Sequence, residues 1–208
     1  RVNRIKSIQS SLAIENNTLS LEQVTDVLNG KRVLGPQDDI VAVKNAFAVY
    51  KILPELNPFS LDDLKKAHGV MMNELVEGTG ELRASSVGVI NEQGKVIHVA
   101  PPHGMVKDLM EQLFDWLKMS KTQMLIRSSI FHYEFEFIHP FMDGNGRTGR
   151  PWQTALLANW KPIFEWIPIE SIIKDNQEEY YRAIGLSTAE GKSNRFILFM
   201  LGVIKKAV

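Results

Sequence analysis

The stretch from Thr122 to Ile138 constrains the fold more than any other, because it is apolar on two flanks at helical spacing. Phe131, Phe135 and Ile138 form one stripe, and Ile130, Tyr133 and Phe137 form a second. A surface helix needs a single apolar face, so two stripes predict a central helix enclosed by others. That helix should end at His139, because Pro140 disfavours helical backbone in the residue before it. The central helix therefore delivers His139 into a short, glycine-rich stretch.

Helices are also expected on either side. Residues 1 to about 16 place Ile5, Ile8, Leu12 and Glu15 at helical spacing, with Asn16-Asn17 as a left-handed stop. Ser20 and Gln23 form a capping box for a short helix that ends before Gly30. Pro36 and Asp38-Asp39 open a third, with Ile40, Val43, Phe47 and Tyr50 along it, that stops at Pro54. Ser60 is the N-cap of a fourth, which carries Leu64, His68, Met71 and Leu75. A loop spans Gly78 to Arg83, and after it the period changes. Residues 87–90 and 95–99 flank Asn91 to Gly94 and predict one β-hairpin. Pro101-Pro102 starts a helix with Val106, Leu109, Leu113 and Trp116 on one stripe. After the central helix, another is expected to about Trp160, then two more near 169–186 and 193–206. The predicted class is all-α with one hairpin.

From His139 to Arg150 the chain reads His-Pro-Phe-Met-Asp-Gly-Asn-Gly-Arg-Thr-Gly-Arg. Each polar group there suits a nucleotide phosphate. Gly144 and Gly146 allow tight turns and close approach of backbone to a ligand. A helix starting near Asn145 would point its unpaired N–H groups and positive dipole end at an anion. Arg147 and Arg150, three apart, can donate to phosphate oxygens. Asp143 is the hard oxygen ligand that Mg²⁺ takes beside phosphates. His139 ionises near neutral pH and could take a proton from a hydroxyl.

These residues resemble the Fic family, whose signature is HPFx(D/E)GNGRxxR, and every specified position matches. The resemblance implies a Fic fold: a helical bundle with one small hairpin flap. It implies transfer of AMP from ATP, with Mg²⁺, to a Ser, Thr or Tyr hydroxyl of a protein target, which could be the chain itself. His139 would be the general base and Asp143 the metal ligand. Gly144, Asn145, Gly146, Arg147, Thr148, Gly149 and Arg150 would hold the phosphates. Tyr181 would line the adenine site. Val87, Val89, Val96, Ile97, His98 and Val99 would form the flap that pairs with an extended stretch of the target. Pro151 departs from the family, which usually carries an aliphatic residue there, and predicts a kink or a late helix start.

Ser11-Leu-Ala-Ile-Glu15-Asn16 further matches the family's inhibitory pattern, (S/T)xxxE(G/N). By resemblance, Ser11 and Glu15 act as a brake, with Glu15 on Arg150. On this reading residues 1–35 form an N-terminal helical segment carrying the brake, and 36–208 form the Fic core. Removal of AMP by the same site is the alternative activity, and a nucleotide-binding regulatory module is the alternative role. Lys+Arg and Asp+Glu are 24 each, so no basic stripe suggests nucleic acid. The longest apolar run, Phe196 to Ile204, is too short to span a bilayer. The absence of cysteine fits a reducing cytoplasm. The chain opens on Arg1 and is expected to be part of a longer one; its sequence specifies no oligomeric state.

Overall fold

The computed structural model describes residues 2–90 and 96–208. Among them lie α1 (Val2–Ile14), α2 (Leu21–Leu28), α3 (Gln37–Ile52), α4 (Leu61–Met71), α5 (His103–Met119), α6 (Met124–Ile138), α7 (Asn145–Trp160), α8 (Ile169–Asp175), α9 (Gln177–Glu190) and α10 (Asn194–Ala207). Strands β1 (Gly88–Ile90) and β2 (Val96–Val99) form an antiparallel pair. Gly88 opposes Val99 and Val89 opposes His98, with a bulge between Val89 and Ile90. The expected hairpin is thus present; Val87 lies one residue ahead of β1, and its turn, residues 91–95, lies outside the described residues.

Helix α6 is the centre, as its two stripes require. It packs on α5, α7 and α10, and Phe131 and Phe135 have no exposed surface. Helix α1 joins the same core through Ile8, Leu12 and Ile14, and packs on α8 and α3. It is also pinned by polar contacts. The buried Glu170 carboxylate accepts from Ser7 Oγ at 2.8 Å, Tyr50 OH at 2.7 Å and Thr154 Oγ1 at 3.1 Å. These bonds join α1, α3, α7 and α8 at one buried point.

Caps behave as the sequence predicts. Ser20 and Gln23 exchange both bonds of the capping box, and Ser60 accepts from the Asp63 amide. Asn16 takes the left-handed conformation that ends α1, with φ 63°. Other expectations are corrected. Helix α4 stops at Met71, so Leu75 lies in the following turns. The single helix expected near 169–186 is two, divided at Asn176, whose side-chain amide donates back to the Ile172 carbonyl. Helix α7 starts at Asn145 and continues past Pro151, so the late start is not adopted. Tight packing holds that proline, which is buried with Trp152 beside it, and outweighs the one helical hydrogen bond it removes.

Candidate active site

Local contacts shape the loop after α6. His139 caps the helix in the left-handed region, at φ 50° and ψ 61°. The Asn145 side chain clasps both polar groups of Phe141, accepting from its N–H at 2.9 Å and donating to its carbonyl at 2.9 Å. The buried Phe141 ring stacks on His68, 3.7 Å between centroids. His68 Nδ1 accepts from the Gly80 amide at 2.9 Å, so the neutral ring carries its proton on Nε2 and donates to the Asp143 carbonyl at 2.9 Å. Burial lowers the His68 pKa, consistent with that neutral tautomer. Gly144, at φ 78°, presses on the Met72 thioether where a Cβ would collide.

Beyond Gly144, α7 begins without a side-chain cap. The amides of Asn145, Gly146 and Arg147 therefore have no helical acceptor, an arrangement that suits an anion. Asp143 stands at its edge, side chain 55% exposed, accepting from the Gly144 amide at 2.6 Å and from Arg147 at 2.7 Å. Burial would raise its pKa, but the Arg147 charge and these bonds outweigh burial and hold it below the usual carboxylate value.

Arg147 and Arg150 do not act as a parallel pair. Arg147 ends on Asp143, whereas Arg150 is buried and reaches α1. Its Nε donates to Ser11 Oγ at 3.0 Å, and Nη2 donates to the Ser11 carbonyl at 2.9 Å and to Glu15 Oε1 at 2.8 Å. Burial disfavours the guanidinium charge, but Glu15 overrides this and raises the Arg150 pKa. A Cβ at Gly146 would strike both Glu15 and Arg150, so glycine there is what lets the pair form against the helix start.

A cavity of about 370 Å³ opens beside this pair, lined by Glu15, Glu136, His139, Gly146, Arg150 and, from α9, Tyr180, Tyr181, Ile184, Gly185 and Thr188. A smaller cavity of about 170 Å³ lies behind α7 near Pro58 and Glu165, away from His139. The larger one joins an imidazole, a guanidinium and an apolar wall, the mix of apolar lining and a few convergent polar groups common to ligand sites. Tyr181 does line it, with its phenol pushed up to about 12 by burial and by Glu15. Tyr180 also borders it but is almost wholly buried, and its hydroxyl bonds to His132 Nε2 at 3.0 Å. Thr148 and Gly149 do not line this cavity: Thr148 is 2% exposed, and Gly149 sits against Phe135 and Glu136. Both face the interior, because successive helical residues turn by about 100° and only Gly146 and Arg150, four apart, share the cavity face. Asn145 likewise spends its side chain on Phe141 and has only its backbone N–H for an anion.

Sequence reading missed Glu136, His132, Gln153 and Arg83. The first three lie in α6 and α7 at core-facing positions, and Glu136 at helical spacing before His139 was the available signal. Burial holds His132 neutral, near a pKa of about 4, and raises Glu136 to about 7. The Glu136 Oε1 atom is buried without a hydrogen-bond partner. Between its usual 4.5 and about 7, the folded protein retains a proton that the unfolded chain has released. Stability therefore falls as pH rises through that window and levels off above it. Glu136→Gln should match the parent near pH 5 and exceed it at pH 8 by up to roughly 3 kcal/mol. Urea unfolding at both values checks this; a gap that does not change with pH would show that Glu136 does not titrate there.

The hairpin has Val99 74% exposed and Val87, just ahead of β1, half-buried. Its pairing places Val89 and His98, and Ile90 and Val96, opposite one another in the backbone register. Ile97 lies within β2.

Comparison with known proteins agrees with this geometry. Residues 58–157 match the model of the Fic/DOC family. The protein adenylyltransferase Fic of Culex quinquefasciatus is 30% identical over 210 residues, covering 94% of this chain and 39% of that protein. The chain thus spans about two fifths of that relative's length. A crystal structure of a Fic family protein from Desulfovibrio desulfuricans G20 is 49% identical, with a TM-score of 0.96 over all of this chain and 63% of its own. Fic-1 from C. elegans, residues 134–508 with one substitution, shares the fold at 22% identity, with a TM-score of 0.78 over 97% of this chain and 62% of its own. No helix among the described residues is long and apolar enough to cross a membrane. The signature loop, the uncapped helix after it and these matches together make the chain a member of the Fic/DOC family.

Proposed function

We propose that this chain is the catalytic core of a protein adenylyltransferase that moves AMP from ATP to a Ser, Thr or Tyr hydroxyl of a protein, itself included. The observation that carries the reading is the meeting of His139, the start of α7 and Arg150 on one cavity with an apolar wall. The target hydroxyl oxygen attacks the α-phosphorus of ATP while His139 takes the hydroxyl proton. The bond from the α-phosphorus to the oxygen bridging to the β-phosphorus breaks, and pyrophosphate leaves with the electron pair. The amides of Asn145, Gly146 and Arg147 face the charge that grows on phosphate oxygens. Arg147, swung from Asp143, and Arg150, freed from Glu15, hold the outer phosphates.

Asp143 fits Mg²⁺ as a single, half-exposed carboxylate, because Mg²⁺ commonly takes one or two carboxylates and completes its shell with phosphates and water. Among the described residues no cluster of three acidic or histidine side chains offers an all-protein site. Bound there, the ion would supply neutralising charge between the phosphates. The hairpin would accept an extended target segment by main-chain pairing at the free edge of one of its strands, which demands little of the target's sequence.

With Glu15 and Ser11 on Arg150, the structure corresponds on this reading to the braked state. The test uses the chain carrying Glu15→Gly, Mg²⁺, and ATP labelled at the α- or the γ-phosphate. Protein should retain α-label and no γ-label. Retention of γ-label alone would replace adenylyl by phosphoryl transfer, and no retention from either would sink the transferase reading.

A further inference from the structure

Arg83 is 3% exposed, yet no acidic side chain pairs with it among the described residues. Its donors go to main-chain carbonyls. Nε donates to the His139 carbonyl at 2.8 Å, and Nη2 donates to those of Pro101 at 2.5 Å and Ile138 at 3.3 Å. Nη1 donates to the Ser85 carbonyl at 2.9 Å, and the Arg83 amide donates to the Pro140 carbonyl at 2.9 Å. Two groups of carbonyls are involved. Ile138, His139 and Pro140 form the turn that carries the imidazole. Ser85 and Pro101 lie just outside the two strands, one on each leg of the hairpin.

We propose that Arg83 is a positioning residue that ties the base of the hairpin to the backbone of His139. A polypeptide laid on the hairpin and the imidazole facing its hydroxyl are then held in one frame. The proposal rests on the adenylyl-transfer reading and names the residue that sets target geometry within it.

The argument is one of requirement. A non-glycine residue in the left-handed region costs about 1–2 kcal/mol, and a following proline disfavours helical backbone further. His139 holds that conformation directly before Pro140, so its surroundings must enforce it. The bonds to Ile138, His139 and Pro140 do so, and they satisfy carbonyls that the end of α6 leaves open. Burying a cation without a carboxylate is costly, and the negative end of the α6 dipole offsets part of it. What the guanidinium adds is a rigid planar fork with five donors, able to hold several carbonyls from different segments at once. Lysine presents one nitrogen and cannot span both hairpin legs and the histidine turn.

The test compares Arg83→Lys with its parent in the Glu15→Gly chain. The acceptor is a His139→Ala copy of the same chain at varied concentration. Trans-labelling from α-labelled ATP should fall about a hundredfold, since small misplacement of reacting groups costs that much. ATP affinity by calorimetry should stay within twofold, because no Arg83 bond touches α7. Amide hydrogen exchange at 84–87, 99–100 and 139–142 should rise together in the variant. Labelling within twofold of the parent, or exchange that rises in one group of segments and not the other, would overturn the proposal. If the parent itself transfers no label, the transferase reading fails, and the exchange data alone decide the tie. If the lysine variant does not fold, the Arg83 Nη protons of the unaltered chain are followed by ¹⁵N-arginine NMR. Slow exchange supports the tie; exchange at the rate of a free guanidinium overturns it.

Discussion

Glu15→Gly is expected to raise adenylyl transfer by roughly ten- to a hundredfold at fixed ATP. The magnitude follows from what Glu15 occupies. Arg150 is buried, its side chain 1% exposed, and its Nη2 is shared between Glu15 and the Ser11 carbonyl. For a phosphate to reach that guanidinium, Glu15 must leave, and a hydrogen bond between charged groups is worth about 1.5–3 kcal/mol. Each 1.4 kcal/mol or so is a factor of ten in rate or occupancy. Glycine removes the competitor while Ser11 stays on Arg150, so the guanidinium keeps its orientation. Withdrawal of Glu15 also removes a negative charge that raises the Glu136 pKa, which favours an ionised Glu136 near the same cation. The effect should come from the carboxylate alone and not from release of α1, which is held by Ile8, Leu12 and the Glu170 cluster. Initial rates of α-label incorporation, with unfolding temperatures of both chains, check the prediction. An unchanged rate in a folded Glu15→Gly chain would reject the brake.

How much of this was legible in the sequence depended on whether a feature repeats or stands alone. The two stripes of α6 predicted a buried central helix because periodicity sums over many residues, and Phe131 and Phe135 are fully buried. The Ser20–Gln23 box and the Asn16 stop were legible because each is a local exchange of hydrogen bonds. The tight turn into α7 was legible because its glycine answers to backbone geometry: Gly144 lies at φ 78°. The break at Asn176 was not, since it falls inside the polar run from Lys174 to Glu179, which holds no proline or glycine to mark a stop. Thr148 and Gly149 were assigned to phosphate because they lie within the motif, whereas helical rotation turns them inward. Arg83 was invisible for a different reason. Its partners are carbonyls at 85, 101, 138 and 139, and a backbone acceptor leaves no residue type to recognise. Glu136 reads as an ordinary polar residue in a helix until α7 and α9 close over it.

His139→Ala in the Glu15→Gly chain should reduce transfer by a factor of about 10²–10⁴, the usual contribution of a positioned general base. ATP affinity should change little. On the proposed reading the phosphate donors are the amides at the start of α7 and the Arg150 guanidinium, which Ser11 orients. This separation distinguishes a base from a binding group, because a lost binding contact raises KM while a lost base lowers kcat. The loop should survive the truncation. Phe141 stays clasped by Asn145 and stacked on His68, and the His139 carbonyl stays on Arg83 whatever side chain the residue carries. A Glu15→Gly/His139→Ala chain is therefore the proper control for the brake as well. If Glu15 acts only through Arg150, removing it still improves ATP binding in the absence of the base, and calorimetry should show the gain without any label on protein. Loss of nucleotide binding in parallel with transfer would reassign His139 to substrate contact. Transfer undiminished beyond about threefold would leave proton removal to solvent or to the target itself, as a loosely bonded transition state permits.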